Sequence, residues 1–257
     1  MYIQITNRCN MTCRHCCFAC TSKGTDMTQD TFTKALQMAV DNDSHICIGG
    51  GEPTLHPLFK DFLFQAVWAL SSEACSNGSP SVHMVTNGSN TEMALHLADL
   101  AHRGVISCNL SQDRYHDPID EKVVRAFTKP VHYNEFGGVN HFKDDDHDCR
   151  GINKEGAYIQ RMGRATSWGN RSKSDGCCGG IFVHPKGTLY PCECRQHSIG
   201  TVDDPHSVIS EHFSGGYCVN SKGYKTEVLP LIKEHTEWKV AHVSVKQGEL
   251  APLGGTV

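Results

Sequence analysis

Residues 2–20 read YIQITNRCNMTCRHCCFAC. Residues 2–5, apolar except for Gln4, read as a first strand, and they lead into a loop carrying Cys9, Cys13, Cys16, Cys17 and Cys20. A second stretch, residues 46–53, repeats the device: ICI followed by GGGEP. In α/β folds the loops at the carboxyl ends of parallel strands carry the binding groups. Two strands that each run into a loop of special composition therefore predict a shared site at one end of a parallel sheet.

The first 130 residues alternate short apolar runs with amphipathic segments, as expected for parallel strands joined by crossover helices. Phe32, Ala35, Leu36, Ala39 and Val40 fall at helical spacing, with Thr28 as N-cap and Met27 placed to staple against Phe32. A second helix buries Phe59, Phe62, Leu63, Ala66, Val67 and Leu70, and residues 82–86 form a third strand. Asn90 caps a third helix that stops at Gly104, and residues 105–110 form a fourth strand. Asp117 then reads as the cap of a fourth helix, with Pro118 at its first position. Residues 131–133 read as a short fifth strand, and no sixth strand is legible beyond it. The expected architecture is an incomplete parallel (β/α)6-type barrel over residues 1–150. A cysteine-rich extension over 151–220 and a polar segment over 221–257 complete the expected organisation.

The 257 residues include 24 basic and 28 acidic side chains, a formal charge of −4, so no global field attracts nucleic acid. No apolar run is long enough to span a bilayer, and residues 1–20 lack the pattern of an export signal. The expected location is cytoplasmic. Fourteen cysteines and sixteen histidines are the unusual feature, and the cysteines cluster at 9–20 and 177–194. Clustered thiols in a reducing compartment point to metal rather than disulfides.

Cys9, Cys13 and Cys16 form CxxxCxxC. Three thiolates on one short loop can hold three irons of a cubane cluster and leave the fourth open to an exogenous chelator. His15 adds a flat ring beside them. By spacing alone, Cys13 with Cys16 and Cys17 with Cys20 also permit a tetrahedral zinc site. Gly49, Gly50 and Gly51 expose backbone donors and acceptors, and Pro53 fixes the turn. Cys47, Cys75 and Cys108 read as small core residues.

CxxxCxxC after the first strand, followed by GGEP after the second, resembles the radical S-adenosylmethionine (SAM) superfamily. The resemblance implies a [4Fe-4S] cluster on Cys9, Cys13 and Cys16, with SAM chelating the open iron. It implies that Gly50, Gly51, Glu52 and Pro53 line the methionyl end of SAM. Cys17 and Cys20 lie outside the pattern. Thr86-Asn87-Gly88 and Ser111-Gln112-Asp113 resemble segments at the same barrel mouth, where Asn87 and Ser111 either meet SAM or substrate or simply cap strand ends. Residues 161–165, RMGRA, resemble a GRA element that precedes C-terminal extensions in several subfamilies.

The second cysteine region centres on a β-hairpin, residues 181–190, turning at Pro185-Lys186-Gly187. Its spacing resembles the start of SPASM and twitch extensions, which implies an auxiliary [4Fe-4S] cluster on Cys177, Cys192, Cys194 and Cys218. A hairpin holding zinc or no metal is the alternative. The acidic run 144–148 reads as a solvated loop. Asp113 and His116 are the candidate catalytic groups, able to move a proton or orient substrate. The expected reaction is reductive cleavage of SAM to methionine and a 5′-deoxyadenosyl radical that abstracts hydrogen from a peptide, a nucleotide or another small molecule. A flavodoxin or ferredoxin is the expected electron donor. The other function class left open is a noncatalytic zinc or iron-sulfur module with a structural or redox-sensing role.

Overall fold

The computed structural model describes residues 1–42, 45–70, 80–128, 132–133, 139–140, 149–153, 163–165, 167, 180–195 and 198–204. Five short parallel strands form its centre: β1 (Tyr2–Thr6), β2 (Ile46–Gly50), β3 (Val82–Thr86), β4 (Ser107–Ser111) and, at the edge, β7 (Arg150–Asn153). Helices α1 (Gln29–Asp41), α2 (Phe59–Leu70) and α3 (Thr91–His102) make the crossovers between β1 and β4, and α4 (Glu121–Phe127) follows β4. This is the expected α/β fold with a parallel sheet of the partial-barrel type.

The helices form where apolar spacing places them. Thr28 caps α1 by accepting the Thr31 N–H through Oγ1, and Met27 and Phe32 are both buried beside it. Phe32 on α1 and Phe62 on α2 stack almost parallel, ring centroids 4.0 Å apart. His56 extends this contact, since its ring lies 4.7 Å from that of Phe62. Its Nδ1 accepts the Leu58 N–H, so Nε2 carries the proton and donates to the Met27 carbonyl. Burial holds this imidazole below its usual range, which favours the neutral ring those bonds require.

Two local expectations change. The cap of α4 is Asp120, whose side chain accepts the Lys122 N–H; Asp117 and Pro118 lie before the helix. Both aspartates are competent caps, and the extended φ/ψ of Asp120 puts the helix start there. The fifth strand of the parallel sheet is not 131–133. Residues His132–Tyr133 (β5) pair antiparallel with Val139–Asn140 (β6) in a separate two-stranded ribbon. The partner of β4 is instead β7, whose sequence RGIN carries one aliphatic residue and gives no strand signal.

The predicted hairpin forms from β8 (Phe182–Val183) and β9 (Thr188–Tyr190), with β10 (Gly200–Thr201) paired to β9. It joins the main sheet, because β8 runs parallel to β1 with Tyr2 opposite Phe182. The full order is β10-β9-β8-β1-β2-β3-β4-β7. The cysteine loop after β1 therefore sits between the GGEP loop on one side and the hairpin on the other. Cys75, Cys177, Cys178, Cys218, the run 144–148 and residues 221–257 lie outside the described residues. No helix among the described residues is long and apolar enough to cross a membrane.

Truncating the stacked pair tests this packing. Phe62→Ala should lower unfolding free energy by about 3–5 kcal/mol in urea denaturation. Phe64→Ala, on the exposed face of the same helix, should cost no more than about 0.5 kcal/mol. Equal losses would contradict the α1–α2 contact.

Candidate functional site

The site is built at the carboxyl ends of β1 to β4, and close backbone contact between the first two loops sets its shape. The Gly51 N–H donates to the Thr6 carbonyl (2.8 Å) and the Glu52 N–H to the Arg8 carbonyl (2.9 Å). A Cβ on Gly50 would stand 2.5 Å from the Thr6 oxygen, and one on Gly51 would collide with the Arg8 carbonyl. These two glycines let the GGEP turn lie against the cysteine loop. Gly49 is inside β2, paired with Gln4. Arg8 reinforces the junction through an ion pair with Asp26 (2.8 Å) and a bond to the Leu55 carbonyl (2.7 Å).

Glu52 is fully buried. Its Oε1 accepts Thr54 N–H (3.2 Å), Thr54 Oγ1–H (2.7 Å) and Thr86 Oγ1–H (2.9 Å), and its Oε2 accepts the Asn87 N–H (2.7 Å). Burial raises its carboxyl above the usual range, and these donors pull it part of the way back. Glu52 thus ties the GGEP turn to the end of β3. Pro53 opens a one-turn 3-10 helix, Pro53–Leu55. Asn87 extends the tie to the cysteines, donating through Nδ2 to Asn10 Oδ1 (3.1 Å) and toward Cys9 Sγ (3.7 Å).

Cys9, Met11 and Cys20 form a small buried cluster against which Cys13 and Cys16 pack. The thiols sense one another. Burial together with Cys9 and Cys16 pushes Cys13 up to about 11, and burial raises Cys9. Cys16 is held low, chiefly by a hydrogen bond from Cys20, whose own thiol is raised by the same bond. Neighbouring thiols that resist ionising together are suited to a cationic partner, which releases their protons on binding. The donor set therefore fits iron or zinc.

Asp113, after β4, bridges two imidazoles. Its Oδ1 lies 2.8 Å from His116 Nδ1 and accepts the Tyr115 N–H at 2.8 Å, while Oδ2 lies 3.3 Å from His15 Nε2. Although burial alone would raise the Asp113 carboxyl, the Tyr115 N–H and His116 hold it below the usual range. Burial lowers His15, an effect that Asp113 opposes. The His15 ring also lies 5.0 Å from those of Tyr115 and His116. The three donor atoms lie within 4.8 Å of one another, close enough for a metal ion, yet each carboxylate oxygen already faces an imidazole.

The structure thus gathers Cys9, Cys13, Cys16, His15, Gly50, Gly51, Glu52, Pro53, Asn87, Asp113 and His116 about adjacent strand ends. Ser111 is the last residue of β4, paired with Asn153. Cys192 and Cys194 lie after β9, with the Cys194 N–H donating to Cys192 Sγ at 3.5 Å. Gln112 falls in the Ser111-Gln112-Asp113 segment read from the sequence, whereas sequence reasoning missed Ser89. Ser89 Oγ, Gln112 Oε1 and His15 Nδ1 are buried without a hydrogen-bond partner among the described residues. Orphaned polar atoms on loops at one sheet end suit a polar ligand. The position of Ser89 just past β3 is the signal that could have found it.

The sequence matches the family described as the Radical SAM superfamily over residues 3–136, more than half of the chain. The chain belongs to the radical SAM superfamily and is an enzyme of that class, for which a [4Fe-4S] cluster and SAM are implied. Among solved structures it is similar to BtrN in complex with AdoMet and 2-DOIA. That likeness has a TM-score of 0.51 at 14% identity, covering 82% of this chain and 80% of that one. It is also similar to native anSMEcpe with bound AdoMet (TM-score 0.49, 15% identity, 82% and 80% covered). A third likeness is to Streptococcus suis SuiB bound to S-adenosylmethionine (TM-score 0.40, 10% identity, 83% and 67% covered). At these identities the likeness concerns the fold alone. No curated protein matches the chain.

The role of Glu52 can be checked directly. Glu52→Gln turns an amide N–H₂ toward donors that now meet carboxylate oxygen, so urea denaturation should show a loss of about 2–3 kcal/mol. Unchanged stability would remove Glu52 as the tie between β2 and β3.

Proposed function

We propose that Cys9, Cys13 and Cys16 hold three irons of a [4Fe-4S] cluster whose fourth iron receives the amino and carboxylate groups of SAM. When bound, these groups supply reductive cleavage of SAM to methionine and a 5′-deoxyadenosyl radical that removes hydrogen from a substrate. The observation that supports this most is the convergence of three mutually interacting thiols with orphaned buried polar atoms on neighbouring strand-end loops.

The chain's own contribution is positioning and exclusion of water. Gly50 and Gly51 bring the GGEP backbone beside the cysteine loop, and Glu52 holds that backbone in place while Pro53 turns it away. Gly49, within β2, leaves room for the Tyr2 hydroxyl. Asn87 steadies Cys9 with an N–H donor, and a donor facing a thiolate stabilises its charge. Ser89, Ser111, Gln112 and His15 supply polar groups for the ribose, adenine or substrate. Asp113 and His116 form a hydrogen-bonded acid–base pair at the same mouth, able to orient substrate or move a proton after hydrogen abstraction.

We assign a peptide or small organic molecule as substrate and a flavodoxin- or ferredoxin-type protein as electron donor, in a cytoplasmic setting. Residues 1–150 form the radical SAM unit in this reading, and 151–220 a twitch-like extension. There Cys177, Cys192, Cys194 and Cys218 hold an auxiliary [4Fe-4S] cluster. Superfamily membership favours the enzyme over the noncatalytic zinc or iron-sulfur module that the cysteines alone permit.

Protein purified and reconstituted without oxygen should be brown and, after dithionite reduction, convert SAM to 5′-deoxyadenosine, measured by liquid chromatography. Colourless protein with stoichiometric zinc would overturn the assignment. Replacing Cys9, Cys13 and Cys16 together with alanine should abolish this product while leaving residual iron. Complete loss of iron from the folded triple variant would remove the auxiliary cluster.

A further inference from the structure

The cysteine loop is held from outside the β1–β4 region by two arginines distant in sequence. Arg164 Nη1 donates to the Cys13 carbonyl at 2.8 Å, its Nη2 donates to the Cys20 carbonyl, and its backbone N–H donates to the Cys16 carbonyl at 3.0 Å. Arg195 Nη2 donates to the Phe18 carbonyl at 3.2 Å, with its guanidinium over the Phe18 and Phe182 rings at 5.4 and 5.9 Å. Carbonyls at four positions of one short loop are thus taken by groups more than 140 residues downstream. The turn that presents Arg164, Gly163–Ala165, fits tightly against that loop. Gly163 has φ +52°, and a Cβ there would collide with the Cys16 and Cys17 carbonyls, while Ala165 is fully buried.

We propose that Arg164 is a positioning residue for the three-cysteine loop, fixing its backbone at Cys13, Cys16 and Cys20 and placing a permanent positive charge beside the iron site. The inference rests on the iron-binding reading above. A guanidinium suits the task because its planar fork serves two carbonyls at once and never loses its charge, whereas an ammonium is a compact point charge. Carbonyls ordered at Cys13 and Cys16 keep those two thiols aimed together, while Asn87 faces Cys9 from the other side. A fixed cation beside the cluster favours the reduced state, which carries one more negative charge. Arg195 restrains the same loop near Phe18, away from the CxxxCxxC ligands, so Arg164 is the better placed to act on them.

The test uses the full chain reconstituted anaerobically with iron and sulfide, as wild type, Arg164→Lys and Arg164→Met. Two readouts are taken: the cluster midpoint potential by EPR-monitored titration, and the rate of iron loss to a chelator. Circular dichroism reports folding. Arg164→Met should make reduction about tenfold less favourable, a shift of about 59 mV to more negative potential, and Arg164→Lys should restore most of it. Because lysine lacks the fork, Arg164→Lys should still lose iron several-fold faster than wild type. A folded Arg164→Met with the wild-type potential would overturn the proposal. If the methionine variant does not fold, the lysine variant decides: iron loss at the wild-type rate overturns the proposal. Failure of the wild-type chain to take up any iron would instead defeat the reading of the loop itself, and this inference with it.

Discussion

Everything at the strand ends depends on two loops lying closer than side chains allow. The chain leaving β2 donates backbone hydrogen bonds to the chain leaving β1, from Gly51 to Thr6 and from Glu52 to Arg8. Any Cβ at Gly50 or Gly51 would enter that contact. Once the loops are joined, the Glu52 carboxylate is sealed from water and must find donors within the protein. It finds them on Thr54, Thr86 and Asn87. The turn after β2 thereby locks to the end of β3, and Asn87 passes the restraint on to Cys9. The glycine motif has a structural task before it has a ligand-facing one.

A second restraint comes from the other side. The hairpin β8–β9 extends the sheet beside β1, and Tyr2, Phe18 and Phe182 pack as an aromatic group at that junction, with centroid separations of 5.3 to 5.6 Å. The cysteine loop is therefore enclosed between the GGEP turn and segments from beyond residue 160. Enclosure of this kind disfavours ionisation, so neighbouring thiols such as Cys9 and Cys13 stay protonated until a cation takes the place of their protons. It also suits a site whose chemistry requires exclusion of water.

The helices α1 to α3 were legible because apolar residues recur at helical spacing behind recognisable caps, as Thr28 and Asn90 show. The site loops were legible because cysteine and glycine are rare in such density. Other parts were not. β7 is an edge strand with a single aliphatic residue, and its pairing is set by β4 rather than by its own composition. The start of α4 lay between two competent aspartates. Glu52 looked like a ligand-facing residue, whereas its partners Thr86 and Asn87 lie more than 30 residues away and meet it only after the sheet forms. The loop-facing role of Arg164 was hidden for the same reason, since a GRA triplet carries no trace of the carbonyls it will meet.

The proposed function requires a cluster that three cysteines leave incomplete and that SAM completes. EPR of the dithionite-reduced, reconstituted protein, recorded with and without SAM, reads this at the metal. Completion of the cluster by SAM should give a reduced [4Fe-4S] signal whose g-values change when SAM is added. A signal identical in both samples would contradict it.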